Sequence, residues 1–486
     1  MTRAVVLGGG LAGALAASVL ARYVDEVVIL EGDRYPDSPR SRKGVPQAQH
    51  NHMLMGGGAA AIDELLPGTT ALLYAAGAYH RKIGQLVTLS AQGWFRRVDS
   101  DAYVINCTRP LVDHVVRAQA FRDEKIKVIE SAKVVGLVGD AGRVRGVRFE
   151  QGQESPAEIT ADFVVDATGS RSKAPQWLAE LGLPAVEEEF VDAGLSYAGR
   201  FYEVPEGTRE DFPGVLMQTE PGTGQPGRGA ALMLQEGRRW IVTLMGTRGD
   251  TPPSDEEGFM AYAKRLRHPI IADLLSLARP LTPIRASRAM ADRRKYFDRL
   301  PVPEGFVAIG DAAMVLSPNY ATGMSMAAFG AQALHEGLEG GGLRPGLSRS
   351  VQTAVIKAGE WPWQMAIGND RWFPQVETNL TGKRVLGLDV AGMTDSMMRR
   401  FNVRFARTAA ENPMVASATY AVTALSAQPS EMMAPPIMWA VMRGPRRPPL
   451  SAEEALAQYP ELGDLLNPVP AFPPVPGQRV DAPDRT

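Results

Sequence analysis

The feature that most constrains this chain is a glycine-punctuated turn close to its start. Val5-Val6-Leu7 is a short apolar run of the kind that forms a buried parallel strand, and it leads straight into Gly8-Gly9-Gly10-Leu11-Ala12-Gly13. In a strand–turn–helix unit each glycine of a GxGxxG pattern has its own role. Gly8 allows the tight turn, Gly10 lets the backbone approach a pyrophosphate, and Gly13 lets helix and strand pack closely. Leu11 and Ala12 complete the turn, and a helix over 14–22 aims its positive end at the phosphates. Val27-Val28-Ile29-Leu30 reads as a second strand that ends at Glu31. An acid about 20 residues beyond the glycines accepts hydrogen bonds from a ribose. The glycine pattern alone is a weak signal; with strand, helix, second strand and terminal acid in register it specifies a dinucleotide-binding unit. An acid rather than an arginine at position 31 favours FAD or NAD over NADP.

A second motif separates FAD from NAD. Ala308-Ile309-Gly310-Asp311-Ala312-Ala313 follows the strand-like GFVAI, Pro318 comes seven residues after Asp311, and Gly323-Met324-Ser325 opens a helix. A carboxylate at a strand end can bind the ribityl hydroxyls of a flavin, and a glycine-led helix N-terminus can stabilise negative charge at the pyrimidine edge of its ring. The pairing of GxGxxG near residue 10 with GDAA near residue 311 resembles the FAD-dependent monooxygenases of the para-hydroxybenzoate hydroxylase type, over roughly residues 1–345. That resemblance implies that Arg109, at the helix start Thr108-Arg109-Pro110-Leu111-Val112-Asp113, contacts the FAD phosphates or ribose. It also places Asp166-Ala167-Thr168-Gly169 where many members carry Asp-Gly; here Thr168 and Gly169 take that position.

The stretch Arg42-Lys43-Gly44-Val45-Pro46-Gln47-Ala48-Gln49-His50-Asn51-His52, with ELLPGTT (64–70) and EEEFVDAG (187–194), is similar to the flavin epoxidases of polyether antibiotic pathways. The similarity implies that Arg42 or Lys43 lies over the cofactor, in a loop able to swing the flavin. One departure stands out. That family carries Pro-x-Tyr-Gly-(His or Gln)-Gly-Met-Ser beside the flavin, and this chain has Pro318-Asn319-Tyr320-Ala321-Thr322-Gly323-Met324-Ser325. Trp361-Pro362-Trp363 resembles the Trp-x-Trp of flavin halogenases, with Lys82 as a candidate catalytic lysine. The halogenase motif ends in Ile-Pro and precedes the second flavin motif, whereas here the pair follows Asp311 and continues Gln364-Met365-Ala366. Trp361 and Trp363 therefore read as helix-packing aromatics.

Composition sets the outer bounds. Of 486 residues 45% are hydrophobic and 22% charged, with a net charge of −2, so no global basic field points to nucleic acid. The opening MTRAVVLGGG has no basic leader or cleavage site, which points to a cytoplasmic protein. The uncharged stretch 412–430 carries Ser, Thr, Gln and two prolines and reads as a core or interfacial helix, not a span. The single cysteine, Cys107, excludes an intramolecular disulfide or a cysteine-cluster metal site. His50 and His52 suit one strand face, but no carboxylate cluster accompanies them, so no metal site is expected.

The expected fold is α/β: a discontinuous Rossmann-like FAD domain (1–180 and 285–345) with an inserted β-rich substrate domain (181–284), a helical C-terminal region (346–443) and an extended, Pro-rich tail (444–486). The expected reaction is monooxygenation. Reduced flavin and O2 give a C4a-hydroperoxide whose distal oxygen an alkene attacks directly, so the protein positions substrate and excludes water, and no catalytic side chain is assigned. Alkene epoxidation comes first, hydroxylation of an aromatic or activated carbon second, and a flavin-dependent reductase of the geranylgeranyl reductase kind third. With the one fingerprint assigned to FAD, electrons come from NADH or NADPH docking transiently, or from a partner flavin reductase. Segments such as Gly194-Leu195-Ser196-Tyr197-Ala198-Gly199 and Ala230-Ala231-Leu232-Met233-Leu234 alternate small and large apolar residues. Tyr197, Met233 and Tyr320 are thus candidates to line a broad apolar pocket for a large hydrophobic substrate.

Overall fold

Five apolar runs, widely separated in the chain, assemble into one parallel sheet. In the computed structural model, which describes residues 1–152, 155–288, 291–380, 384–385, 388–389 and 395–466, the strand order is Phe306–Ala308, Phe163–Asp166, Arg3–Leu7, Glu26–Glu31, Ile126–Glu130. Val5 pairs in register with Val28 on one side and Val164 on the other. The three central strands are buried almost throughout, because both helix Leu11–Leu20 and the antiparallel strands Ala132–Asp140 and Arg143–Gln151 pack on the sheet and share its core. Helix Leu11–Leu20 packs against both Arg109–Ala120 and Gly323–Glu339. The chain thus leaves this core and returns to it, as a discontinuous domain requires.

A second, eight-stranded sheet stands beside the first. Its backbone is the antiparallel set Ser196–Glu203, Arg239–Gly246 and Arg228–Gln235. It draws on more of the chain than the span 181–284: Val215–Met217 pairs in parallel with Val87–Ser90, and Ser196–Glu203 pairs with Arg285–Arg288. Strand alternation gives this sheet two faces. Ala198, Tyr202, Leu232, Trp240, Val242 and Leu244 pack with Phe259 and Tyr262 into an outer core. The opposite face carries Tyr197, Met245 and Gly229 in one row, Gly199, Thr243 and Ala231 in the next, and Phe201, Ile241 and Met233 in a third. A smaller sheet, Met314–Val315, Asp292–Lys295, Glu188–Asp192 and Glu377–Thr378, links the two.

Beyond residue 346 the described chain is mainly helical, with Leu347–Ala358, Glu360–Asp370, Asp395–Glu411, Pro413–Thr423 and Pro435–Arg443. The stretch 412–430 forms the helix Pro413–Thr423, whose Val415, Ala416 and Tyr420 pack in a local core. Among the described residues no helix is long and apolar enough to cross a membrane.

The expected extended tail needs correction over 451–466. Ser451 caps a helix at Ala452–Leu456 through a complete capping box with Glu454, and a second helix spans Pro460–Leu466. Ala455, Tyr459 and Leu462 are buried in the outer core, and the Tyr459 hydroxyl donates to the Leu86 carbonyl at 2.9 Å. Flanking prolines disguised a segment whose capping and apolar spacing are those of ordinary helices. Residues 467–486 lie outside the described residues.

Candidate functional site

The turn after the first strand is shaped by what it has no room for. Gly8 has φ +87°, and a Cβ there would meet the Ala167 carbonyl oxygen at 2.7 Å; a Cβ on Gly13 would lie 1.9 Å from the Gly8 carbonyl oxygen. Gly10 is different. A Cβ there would meet only the tip of Arg42, Nη2 at 3.6 Å, so its free side faces open space instead of the fold. The helix Leu11–Leu20 starts at Gly10 with no side-chain cap, which leaves its first N–H groups available to an anion. Leu11 is buried, and Ala12 is half-buried against the second motif, since a Cβ on Gly310 would touch Ala12 Cβ at 3.2 Å.

Glu31 ends the second strand, buried, and accepts from the N–H groups of Gly9 and Asp33, both at 2.8 Å. Arg42 Nη1 reaches Glu31 Oε1 at 2.9 Å and Asp33 Oδ2 at 3.5 Å. The polar loop after the second strand therefore folds back so that Arg42 closes over the cradle, with its buried Nε lacking a hydrogen-bond partner. Lys43 is exposed. A small cavity beside Arg42 is lined by Pro36, Arg40, Val45, Pro110, Asp113 and Arg117, among others, which brings the start of the Arg109 helix to this end of the cradle. Arg109 itself holds Asp113, Nε to Oδ1, at 2.7 Å. Thr168 lies against Gly8, its Cα 3.1 Å from the Gly8 Cβ position, and donates to Asp166 from both backbone N–H and hydroxyl. Gly169, with φ +79°, follows in the same turn.

The second motif continues the cradle. Asp311 is half-buried; burial raises its carboxyl above the usual range, against the pull of Arg109 and Lys295. Its Oδ1 lies 4.0 Å from the Cβ position of Gly323. The helix Gly323–Glu339 begins there without a side-chain cap, Gly323 is exposed, Met324 is buried, and the buried hydroxyls of Thr322 and Ser325 have no partner. Pro318 is exposed at the head of the turn that leads in.

Facing this turn is a buried polar cluster that the sequence did not announce. The Tyr320 hydroxyl donates to Asp370 Oδ1 at 2.5 Å, and the Ser317 N–H donates to Asp292 Oδ1 at 2.5 Å. Asp292 and Asp370 are 1% and 4% exposed and interact directly. Burial and the neighbouring Asp370 push the Asp292 carboxyl well up, and burial raises Asp370 to about 6, so the pair retains a proton near neutral pH. Tyr197 is buried alongside, its hydroxyl within the influence of Ser317 and Asn319 but not hydrogen-bonded. The Tyr197 ring lies 5.8 Å from His50, whose Nε2 is 2.8 Å from Ser287 Oγ. Burial lowers both His50 and His52 to about 4, so both are neutral. Met233 is buried on the same sheet face, against Asn106, whose Nδ2 is 3.6 Å from its sulfur.

A family description, "FAD binding domain", matches residues 1–339, well over half of the chain. The chain belongs to this FAD-binding family. It is 28% identical over 388 residues to Protein Rv3254 of Mycobacterium tuberculosis, covering 75% of this chain and 80% of the relative. It is also 28% identical over 356 residues to a kynurenine 3-monooxygenase of Salinispora arenicola, covering 67% and 70%. Among solved structures, the flavin-dependent halogenase CmlS superposes with a TM-score of 0.60 over 96% of this chain and 77% of its own, at 16% identity, a likeness of fold.

As a member of the FAD-binding family the chain has residues that fit the cofactor. The open side of Gly10, the uncapped helix start and the orphaned Nε of Arg42 lie together at the first turn, and the uncapped start of Gly323–Glu339 lies beside Asp311 in the second motif. Glu31 and Arg42 would hold the adenosine end, the 10–13 turn and Arg109 the phosphates, Asp311 the ribityl chain, and Gly323 and Met324 the ring edge. FAD, when bound, supplies the redox chemistry that activates oxygen. These are the positions that the motifs and resemblances named, and the paired carboxyls are not among them. Asp292 and Asp370 lie 78 positions apart in ordinary contexts, and only the packing of helix Glu360–Asp370 on the linking sheet joins them.

Proposed function

We propose that this FAD-dependent monooxygenase transfers one oxygen atom to a carbon–carbon double bond of a large, hydrophobic substrate of the polyketide kind. The observation that carries this reading is the inner sheet face. Its rows place the small residues Gly199, Gly229 and Ala231 among Tyr197, Phe201, Met233 and Met245, next to the turn that leads into Gly323. The space beside Gly199 and Gly229 is taken up by Val242, Thr243, Met217 and Thr219, so it is the adaptable side chains of Met233 and Met245, not open width, that suit an irregular apolar ligand. Tyr197, Met233 and Tyr320 are the proposed substrate contacts. An alkene needs no side-chain nucleophile or base, so the chain's part is to orient it and keep water out. Electrons come from NADH or NADPH, or from a partner reductase.

Hydroxylation of an aromatic or activated carbon is the second reading. The Asp292–Asp370 pair and the tyrosine hydroxyls favour it, because such a reaction moves protons on and off the substrate. Product analysis under O2 decides. Gain of one oxygen atom, with the double bond lost and an oxirane seen by NMR, is expected for epoxidation. A new hydroxyl on an intact unsaturated carbon would favour the second reading, and gain of two hydrogens without oxygen would overturn both.

A further inference from the structure

The helix Pro435–Arg443 reads Pro-Pro-Ile-Met-Trp-Ala-Val-Met-Arg and has no polar stripe. Ile437 and Val441, one turn apart, are buried in the local core with Ala409, Val415 and Tyr420. On the other side Trp439 is 51% exposed and Met442 64% exposed, and their i, i+3 spacing sets them on one face. Two more large apolar side chains sit on adjoining turns: Met433, just before this helix, and Met414, at the start of Pro413–Thr423, are 44% and 46% exposed. A helix that is apolar all round is normally covered on every side, and clustered exposed apolar groups mark a surface that something else covers.

The charge around the patch says what that is. Arg443, Arg446 and Arg447 are all exposed. The Arg443 guanidinium stacks on Trp439, 3.0 Å from the ring centroid. Glu411 is engaged by the backbone N–H groups of Arg446 and Arg447, at 2.5 and 2.6 Å, and those bonds fix the turn that carries both side chains. Arg404 is engaged differently, since its Nε donates to the Val441 carbonyl at 2.7 Å and caps the helix end. Glu431 is the exposed acid of the neighbouring turn. The result is an apolar protrusion of tryptophan and methionine with a cationic margin.

We propose that this face seats the protein on an anionic lipid bilayer, with Trp439 and Met442 in the headgroup–acyl boundary and Arg443, Arg446 and Arg447 on lipid phosphates. Tryptophan favours that boundary, and each arginine gains from the negative surface. A second copy of the chain fits less well, since a two-fold contact through this patch would bring like arginine clusters together. The contact is a surface one, as no described helix is long and apolar enough to cross. It would also bring lipid near the site. The Gly57 N–H donates to the Ala424 carbonyl at 2.9 Å, and Gly58 of the same helix lies against Ser325 at the head of Gly323–Glu339.

The test is co-sedimentation of the FAD-loaded full chain with vesicles of phosphatidylcholine alone and of phosphatidylcholine with phosphatidylglycerol. Binding is expected to the second only, and to weaken with added salt. Trp439→Ser with Met442→Ser should weaken it by about tenfold or more. Arg446→Gln with Arg447→Gln should weaken it by about thirtyfold. Both double variants alter exposed side chains and should keep the flavin absorbance. Failure to bind anionic vesicles, or binding that neither double variant weakens, would overturn the proposal. A dimer in solution that the tryptophan–methionine variant dissociates would overturn it in favour of a second copy.

Discussion

Between Gly8 and Glu31 the cofactor side of the site is complete enough to recognise, whereas the proposed substrate side draws Asn51, Tyr197, Thr243, Asp292 and Asp370 from five separate parts of the chain. The difference is one of what does the work. The cradle is made by backbone: where a carbonyl passes 1.9 Å from a Cβ position, only glycine fits, and the requirement is written at that position in the sequence. The substrate side is made by side chains whose meaning depends on partners, and an aspartate in Ala-Asp-Arg-Arg carries no mark that another carboxyl will face it.

The most severe test acts on the backbone half. Gly13→Ala places a methyl against the Gly8 carbonyl, and neither backbone segment can yield without moving strand or helix. A loss of about 3 kcal/mol or more is expected, with little folded protein recovered. A soluble Gly13→Ala protein with unchanged melting temperature would show that the turn is looser than these distances imply.

Gly10→Ala sharpens the same point by separating fold from cofactor, and Glu31→Ala gives the contrasting case of a residue that serves both. At Gly10 the new methyl meets only the end of a flexible arginine, so the stability of the FAD-free protein should change by no more than about 0.5 kcal/mol. FAD affinity should nevertheless fall about tenfold or more, because the methyl stands where the pyrophosphate must approach. Glu31→Ala removes the acceptor for two backbone N–H groups and the main partner of Arg42, and should cost about 1–3 kcal/mol of FAD binding. Fluorescence titration of FAD into the stripped protein, beside thermal melts without FAD, measures both. Equal damage to stability and affinity at Gly10 would mean that its glycine serves the fold.

The same contrast explains what was legible. The glycines, Glu31 and the Gly310-Asp311 turn were readable because steric and capping demands fix residue type locally. Resemblance put Arg42 or Lys43 over the cofactor, and in the structure Arg42 pairs with Glu31 and Asp33. The exposed Lys43 beside it has no such contact. The helices at 452–466 were missed because flanking prolines outweighed a capping box and the spacing of Ala455, Tyr459 and Leu462. The carboxyl pair was missed because nothing local encodes it.

That pair gives a smaller, pH-dependent effect. An aspartate titrates near 4 in an unfolded chain, and Asp370 is raised to about 6 in the folded one, so the native state holds an extra proton between those values. The stability it contributes is complete below about pH 4 and is lost as pH rises through about 6. His50 and His52, lowered to about 4, work in the opposite direction: their contribution is complete above about 6.5 and is lost as pH falls toward 4. The wild-type curve sums these trends, so the informative quantity is a difference. Relative to wild type, Asp370→Asn should be more stable at pH 7 than at pH 4 by on the order of 1–3 kcal/mol. Parallel melting curves across that range would mean that the two carboxyls do not share a proton.

The least effect is expected at Lys82, and it marks how far the substrate side extends. A lysine that takes a reactive halogen must present an unprotonated amine. Lys82 does the reverse: Asp99 accepts from its Nζ at 2.6 Å and raises its pKa, keeping the ammonium charged, and both Asp99 and Asp101 beside it are exposed. Trp363 lies in another cluster, buried with Met314, Leu316 and Met326, where its bulk fills the core behind the Gly323 helix. The two are therefore not parts of one halogenating site, although the fold is shared with a flavin-dependent halogenase. Lys82→Met should leave turnover and product unchanged, whereas Trp363→Ala should lower stability by about 3–5 kcal/mol as a cavity opens in that cluster. Turnover assays with and without bromide, read by product mass, test the first statement, and thermal melts test the second. If Lys82→Met abolished turnover, or bromine entered the product, the substrate side would have to be redrawn to include the Tyr79–Lys82 strand.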